Sequence, residues 1–398
     1  MEEDKTLFDT HLEETWENLG KLSGLSNPLF DRTLFLMGYD FSSNIYLIRG
    51  DYCSLIDPGN DYTAFMQMLD LGIKPPDIKK IALTHGHHDH AMGGLELVRG
   101  YPGYAAAGLE GEVFLHEAGP VELKEMYSHL GFKLTELKGG ETINLSGFDL
   151  EVIHTPGHTI DGLCFYHAPT KTLFSGDTVM PLAMAEPDDK AAGGSMDHYL
   201  YSVRTLLKKD VDHILPGHGG VAPKIGHWVV EETYSGLIKR MLGFEPLPLL
   251  EGAHLLAEKG LLEEALFSIN KGLAAAGENI EVLEFKAFLL NDLGRAQEAL
   301  EAFDQVLAKK PGDMQVFLGK GCTLMGLGRY EESLSFFDEA LKRQPQSPEA
   351  QIYRGMALYL AGRLEEAMEL PAFRQEFASR LKTELEKLSQ EKQAKAGS

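Results

Sequence analysis

No stretch of this chain stays apolar for the ~20 residues that a membrane-spanning helix needs. The opening Met1-Glu2-Glu3-Asp4 offers neither a basic segment nor an apolar one, so a secretory signal is not expected. Cysteine is scarce. Cys53, Cys164 and Cys322 are the three in 398 residues, and no two stand in a CxxC spacing. That pattern fits reduced, mostly buried thiols in a cytoplasmic protein. Basic residues are also in deficit, with 37 Lys and Arg against 60 Asp and Glu and a formal net charge of −23. Residues 1–245 hold 36 acids and 19 bases; residues 246–398 hold 24 and 18. Proteins that grip nucleic acid usually carry a basic footprint for the phosphates. None is visible, so neither a nucleic acid nor a membrane is expected as a partner. A small-molecule substrate remains open, because charges beyond ~8 Å are screened at physiological salt.

Histidine is distributed unevenly. Fourteen of the 15 lie in the first 245 residues, and only His254 lies beyond. The densest group is His85-Gly86-His87-His88-Asp89-His90, which follows the apolar run Ile81-Ala82-Leu83 and Thr84. Imidazole and carboxylate are the donors that zinc and its neighbours take at catalytic sites. Three more strand-then-turn signals supply further donors. Phe148–Ile153 alternates as a strand and leads to Thr155-Pro156-Gly157-His158. Thr172-Leu173-Phe174 leads to Ser175-Gly176-Asp177-Thr178, and Ile214-Leu215 to Pro216-Gly217-His218-Gly219. Strand ends lie side by side at the rim of a sheet. His85, His87, Asp89, His90, His158, Asp177 and His218 are therefore expected to converge.

The motif His-x-His-x-Asp-His, followed by Pro-Gly-His, Gly-Asp-Thr and Pro-Gly-His-Gly, resembles the metallo-β-lactamase superfamily over about residues 30–240. The resemblance implies an αβ/βα sandwich with two metals in a cleft between the sheets. It implies that His85, His87 and His158 hold the first metal, that Asp89, His90 and His218 hold the second, and that Asp177 bridges them. Zinc is the expected metal, with iron or manganese as alternatives, because imidazole and carboxylate suit more than one of them. Water shared by two divalent ions loses its proton near neutral pH and can attack a carbonyl or phosphorus. Asp89 could also accept a proton from the intermediate. Asp57, in Leu55-Ile56-Asp57-Pro58-Gly59, is the candidate to receive the second N–H of a metal-bound imidazole; an Asx turn is the competing reading. His198 is a candidate substrate contact or a plain surface residue. His88 is expected to face solvent and His154 to pack at its strand end.

After about residue 245 the chain changes character. Gly260, Gly294, Gly328 and Gly362 recur every 34 residues. Seven residues before each stand Ala253, Ala287, Gly321 and Gly355; four before stand Leu256, Leu290, Leu324 and Leu358. Five after stand Ala265, Ala299, Ser333 and Ala367. Small residues at fixed points let two helices cross closely, and the glycine sits in the turn between them. The pattern is similar to tetratricopeptide repeats and implies an α-helical solenoid. Units are expected at 246–279, 280–313, 314–347 and 348–381. Pro371 should interrupt the second helix of the last unit, 372–388 should cap the solenoid, and 389–398 should fray. The concave face suits a protein or peptide partner; packing on the catalytic domain or homo-oligomer contact is the equal alternative.

The expected organisation is an N-terminal helical segment over 1–28, a catalytic domain over 29–245, the repeats over 246–381, and a cap end with a disordered tail over 382–398. Phe8, Leu12, Trp16 and Leu19 form one apolar stripe if 1–22 is helical. The functional reading is a dinuclear-metal hydrolase of a small ester, thioester, lactone or related molecule. An iron-binding redox or dioxygenase member of the same fold is one alternative. A repeat scaffold with a non-catalytic metal domain is the other. The Gly-Cys-Gly-Arg segment of glyoxalase II and persulfide dioxygenase relatives is missing. Val179-Met180-Pro181-Leu182-Ala183-Met184 stands there instead, so a glutathione thioester is not expected.

Overall fold

Alternation of side chains assembles two cores from single strands. In the strand Ile45–Arg49, Ile45 and Leu47 join one buried cluster, while Tyr46 and Ile48 join another. A strand buried on both faces reads as a continuous apolar run, and this one does. The computed structural model describes residues 15–39, 41–100, 111–190, 192–243 and 247–396. The chain divides into two units, Met1–Met241 and Leu242–Ser398.

The first unit contains a seven-stranded sheet in sequence order: β1 (Glu17–Asn18), β2 (Thr33–Leu36), β3 (Ile45–Arg49), β4 (Cys53–Ile56), β5 (Ile78–Ala82), β6 (Glu112–His116) and β7 (Lys133–Leu137). β4 to β7 run parallel, and β1 to β4 antiparallel. A five-stranded sheet follows: β8 (Thr142–Leu145), β9 (Phe148–His154), β10 (Leu163–His167), β11 (Thr172–Gly176) and β12 (His213–Pro216), in the order β12-β11-β10-β9-β8. Tyr46, Ile48, Ile56 and Phe114 of the first sheet meet Leu150, Val152, Phe165, Phe174 and Leu215 of the second in one inner core. Each such side chain contributes about 1.5–3 kcal/mol on burial. The outer face of the first sheet packs on Phe65, Met68, Leu97, Leu123 and Tyr127, which come from the helices Tyr62–Asp70, Gly93–Gly100 and Val121–His129. The helices Met196–Leu206 and Gly226–Met241 pack on each other, and the second of them packs on β12. The layers are helix, sheet, sheet, helix, the αβ/βα sandwich expected.

The second unit is a run of antiparallel helix pairs. Leu249–Glu258 packs with Leu262–Ala276, Ile280–Asp292 with Ala296–Lys309, and Met314–Gly326 with Tyr330–Arg343. Gly260, Gly294, Gly328 and Gly362 occupy the turns with φ of 78°, 72°, 76° and 82°, a region that only glycine enters freely. Ala253, Ala287, Ala265, Ala299, Ser333 and Ala367 are all buried, as the 34-residue register requires. Among the described residues, no helix is long and apolar enough to cross a membrane.

Two local expectations are corrected. Trp16 and Leu19 do not share a helical stripe. Glu17–Asn18 pairs with β2, and the helix starts only at Leu19, after Asn18 caps it by accepting from Lys21 N. Trp16 packs on the outer core and Leu19 in the inner one, so the spacing of three mimicked a helix across a strand. Phe8 and Leu12 lie outside the described residues. Pro371 interrupts the second helix of the last unit, and a capping helix follows, as expected. The proline ends Leu364–Glu369 and opens a new helix, Pro371–Ala396, since proline fits a first helical turn. That helix continues through 389–396, where fraying was expected, because Lys, Glu, Gln and Ala are strong helix formers.

Candidate metal centre

The expected strands all end at one place. β5 delivers the loop of His85, His87, Asp89 and His90 from the first sheet. β9, β11 and β12 deliver His158, Asp177 and His218 from the second. The donors thus converge across the gap between two sheets, not along the rim of one.

Their atoms form two joined groups. His85 Nε2 lies 3.0 Å from His87 Nδ1, and His158 Nε2 lies 3.1 Å from that same atom. His90 Nε2 lies 3.3 Å from His218 Nε2, which lies 3.2 Å from Asp89 Oδ2. Asp177 stands between them. Its Oδ1 is 3.4 Å from His90 Nε2; its Oδ2 is 3.6 Å from His218 Nε2 and 3.7 Å from His158 Nε2. A tetrahedral zinc with bonds of ~2.0–2.1 Å to nitrogen holds its ligands ~3.3 Å apart. The observed separations fit that cage. Asp177 Oδ1 is also buried and, among the described residues, has no hydrogen-bond partner, an arrangement costly without a cation. The donor set therefore suits two transition-metal ions. Gly217 is required by the same crowding: a Cβ there would lie 2.3 Å from Asp177 Oδ1 and 2.6 Å from His90 Cε1.

Without metal the cluster is electrostatically divided. Burial, then the neighbouring imidazoles, hold His85 well below the usual histidine range, and His87 is lowered for the same reasons. Burial opposes charge on His90 too, but Asp177 and Asp57 outweigh it and raise it well above that range. A hydrogen bond to Asp89 raises His218. Burial would raise Asp89, yet the bond from His218 and the charge of His90 hold it at about 2. Asp177 is lowered by His90, His218 and His158 against its own burial.

Outer contacts aim the rings. Asp57 Oδ2 accepts from His90 Nδ1 at 2.8 Å, and the same carboxylate accepts from Thr84 N at 2.7 Å and Thr84 Oγ1 at 2.6 Å. Asp57 is thus within hydrogen-bond reach of one candidate ligand ring. Two other holding groups were not anticipated. The Glu186 carbonyl accepts from His158 Nδ1 at 2.6 Å, and Asp188 Oδ2 lies 3.3 Å from His87 Nε2. Asn44 Nδ2 donates to the carbonyls of Pro216 and Gly219 at 2.9 and 2.8 Å, and Tyr46 Oη to Pro216 at 2.7 Å, fixing the turn that carries His218. His198 is exposed on the first turn of Met196–Leu206, and none of the contacts above includes it. Its neighbour Tyr199 is the buried one, with its hydroxyl on the carbonyls of Asp177 and Thr178. His88 is exposed, and His154 donates to Ile160 O and stacks on His116. One side of the cluster is open: the His218 side chain is 36% exposed and that of His90 0%.

Comparison with known proteins agrees with this geometry. The sequence model of the metallo-beta-lactamase superfamily matches residues 38–218, and a tetratricopeptide repeat model matches residues 318–371. A probable metallo-hydrolase of Methanocaldococcus jannaschii is 31% identical over 207 residues, 48% of this chain and 95% of that protein. A hydroxyacylglutathione hydrolase of Haemophilus influenzae is 29% identical over 190 residues, 45% of this chain and 86% of that protein. An atrochrysone carboxyl ACP thioesterase of Aspergillus aculeatus is 24% identical over 234 residues, 56% of this chain and 67% of that protein. Two further fungal relatives are matched over only 48% and 54% of their own length. With that identity and coverage, the chain belongs to the metallo-β-lactamase superfamily and carries tetratricopeptide repeats after its metallo-β-lactamase domain.

Proposed function

We propose that this protein is a metal-dependent hydrolase of a small ester-like molecule, with an acyl thioester as the first substrate class to try. The observation that carries the reading is the pair of three-donor groups joined by the buried, partly unpartnered carboxylate of Asp177. His85, His87 and His158 would hold one ion; Asp89, His90 and His218 would hold the other; Asp177 would touch both. Bound divalent ions would lower the pKa of a shared water towards 7 and polarise the carbonyl under attack. Asp57, Asp188 and the Glu186 carbonyl keep the imidazoles turned inward. Asp89, 33% exposed at the open side, is the carboxylate placed to take up a proton during the reaction.

The relatives named as a hydroxyacylglutathione hydrolase and an ACP thioesterase support acyl transfer to water as the chemistry. Val179–Met184 in place of Gly-Cys-Gly-Arg favours a leaving group other than glutathione. The acidic front half disfavours a long polyanion. Zinc is the proposed metal, with iron or manganese as alternatives, and the repeats are proposed to bind a protein or peptide partner or a second copy of the chain. The test is a panel of acyl thioesters, esters, lactones and phosphodiesters against the purified, metal-loaded chain. Hydrolysis of a small thioester or ester should appear, stop on chelation and vanish in Asp177→Ala. Turnover of none of the carbonyl substrates by a form carrying two ions would sink the proposal.

A further inference from the structure

Arg240 reaches the candidate metal centre through a single intermediary. Its Nη1 and Nη2 donate to Glu186 Oε2 and Oε1 at 2.7 and 2.5 Å, a two-pronged pairing. The carbonyl of that same Glu186 accepts from His158 Nδ1 at 2.6 Å. The Arg240 side chain is 16% exposed and that of Glu186 75%, so the arginine is the anchored partner and the glutamate is drawn to it. Arg240 lies on the last turn of the helix Gly226–Met241, a rigid element.

The segment from Asp177 to Asp188 forms no helix or extended strand of its own. Yet it carries one candidate ligand and the holding groups of two others. The hydroxyl of Tyr199 fixes its start through the Asp177 and Thr178 carbonyls. Its far end, where Glu186 and Asp188 face His158 and His87, is tied by Asp188 N to the His158 carbonyl at 2.8 Å and, through the Glu186 side chain, to Arg240. We propose that Arg240 is a positioning residue for the first metal position, acting through Glu186 on His158; the proposal rests on the dinuclear reading above. A forked arginine–carboxylate pair fixes distance and plane together. With the Glu186 peptide held, the imidazole keeps Nδ1 on the carbonyl and Nε2 towards His87. Released, the peptide can turn away, and the ring loses the partner that sets its orientation.

The experiment is a zinc titration of the metal-free full chain against a chromophoric chelator. The unmodified protein should take up two ions. Arg240→Met should weaken one of them by about tenfold, the low end of the effect of losing an outer partner of a metal-bound histidine, and leave the other unchanged. Glu186→Ala removes an exposed carboxylate, keeps the peptide carbonyl and carries little risk to folding; it should give the same selective loss. The double variant should be no weaker than either single one, because the two residues form one chain of contacts. Arg240→Lys keeps a charged donor and should recover part of the affinity. Full affinity in Glu186→Ala, equal weakening of both ions, losses that multiply in the double variant, or no recovery with lysine would each overturn the proposal. Uptake of fewer than two ions by the unmodified chain would overturn the dinuclear reading instead, whatever the variants do.

Discussion

Asp57 Oδ2 lies 2.8 Å from His90 Nδ1, and both side chains are buried. Asp57 makes this contact from a left-handed backbone, φ 48°, which aspartate and asparagine tolerate better than most residues. Asp57→Asn should therefore keep the backbone while giving up the charged acceptor. Metal affinity at the position of Asp89, His90 and His218 should fall by about 10–100-fold. Chelator competition measures it. Unaltered affinity would show that Asp57 serves only the Thr84 turn.

Filling the centre should expel protons at one end and not at the other. A metal needs bare imidazole nitrogen. His85 and His87 are lowered and already neutral at neutral pH, whereas His90 and His218 are raised and hold protons above the ordinary histidine range. An ion entering beside His90 and His218 must displace those protons. Its affinity should fall as pH falls, about tenfold per pH unit for each proton displaced. Calorimetric titration in two buffers of different protonation heat counts the protons. Zero release at pH 7 would contradict the arrangement.

A chain ending at residue 243 should remain soluble and bind two ions. All seven candidate ligands precede that point, and the division between the two units falls at Met241 and Leu242. Elemental analysis of the purified fragment is the check. An insoluble or metal-free fragment, where the full chain is sound, would mean that the two units share stabilising contacts.

Gly321→Ala should weaken the repeats alone. A Cβ at 321 would lie 2.5 Å from the ring of Phe337, which is fully buried and has little room to retreat. Overpacking of this kind costs about 1–3 kcal/mol. Calorimetry should show the helical transition lowered by ~2–4 °C per kcal/mol, with metal uptake unchanged.

What the sequence made legible was local. The candidate ligands follow short apolar strands, and three of the four strands lead through a Gly or Pro turn, so Thr172–Phe174 followed by Gly176 and Asp177 could be read without knowing the fold. The 34-residue period was legible because Gly294 and Gly328 must enter a backbone region closed to most side chains. What escaped depended on long-range packing. Nothing near β5 says that its partners come from a second sheet. The Glu186 carbonyl is a backbone group and has no signature, and Asp188 is one acid among several. Trp16 and Leu19 satisfied a helical spacing that a two-residue strand interrupts. Pro371 could be read as a break before a capping helix, but not how far beyond 388 that helix would run.

The repeated turn at Gly260, Gly294, Gly328 and Gly362 also sets how the second unit would respond to tension. Each helix pair leans mainly on the pairs beside it. Drawn out by its ends, such an array should lengthen in steps, each freeing 34 residues, or ~110–120 Å of extended chain. The sandwich has no such increments, because both of its sheets close on one inner core.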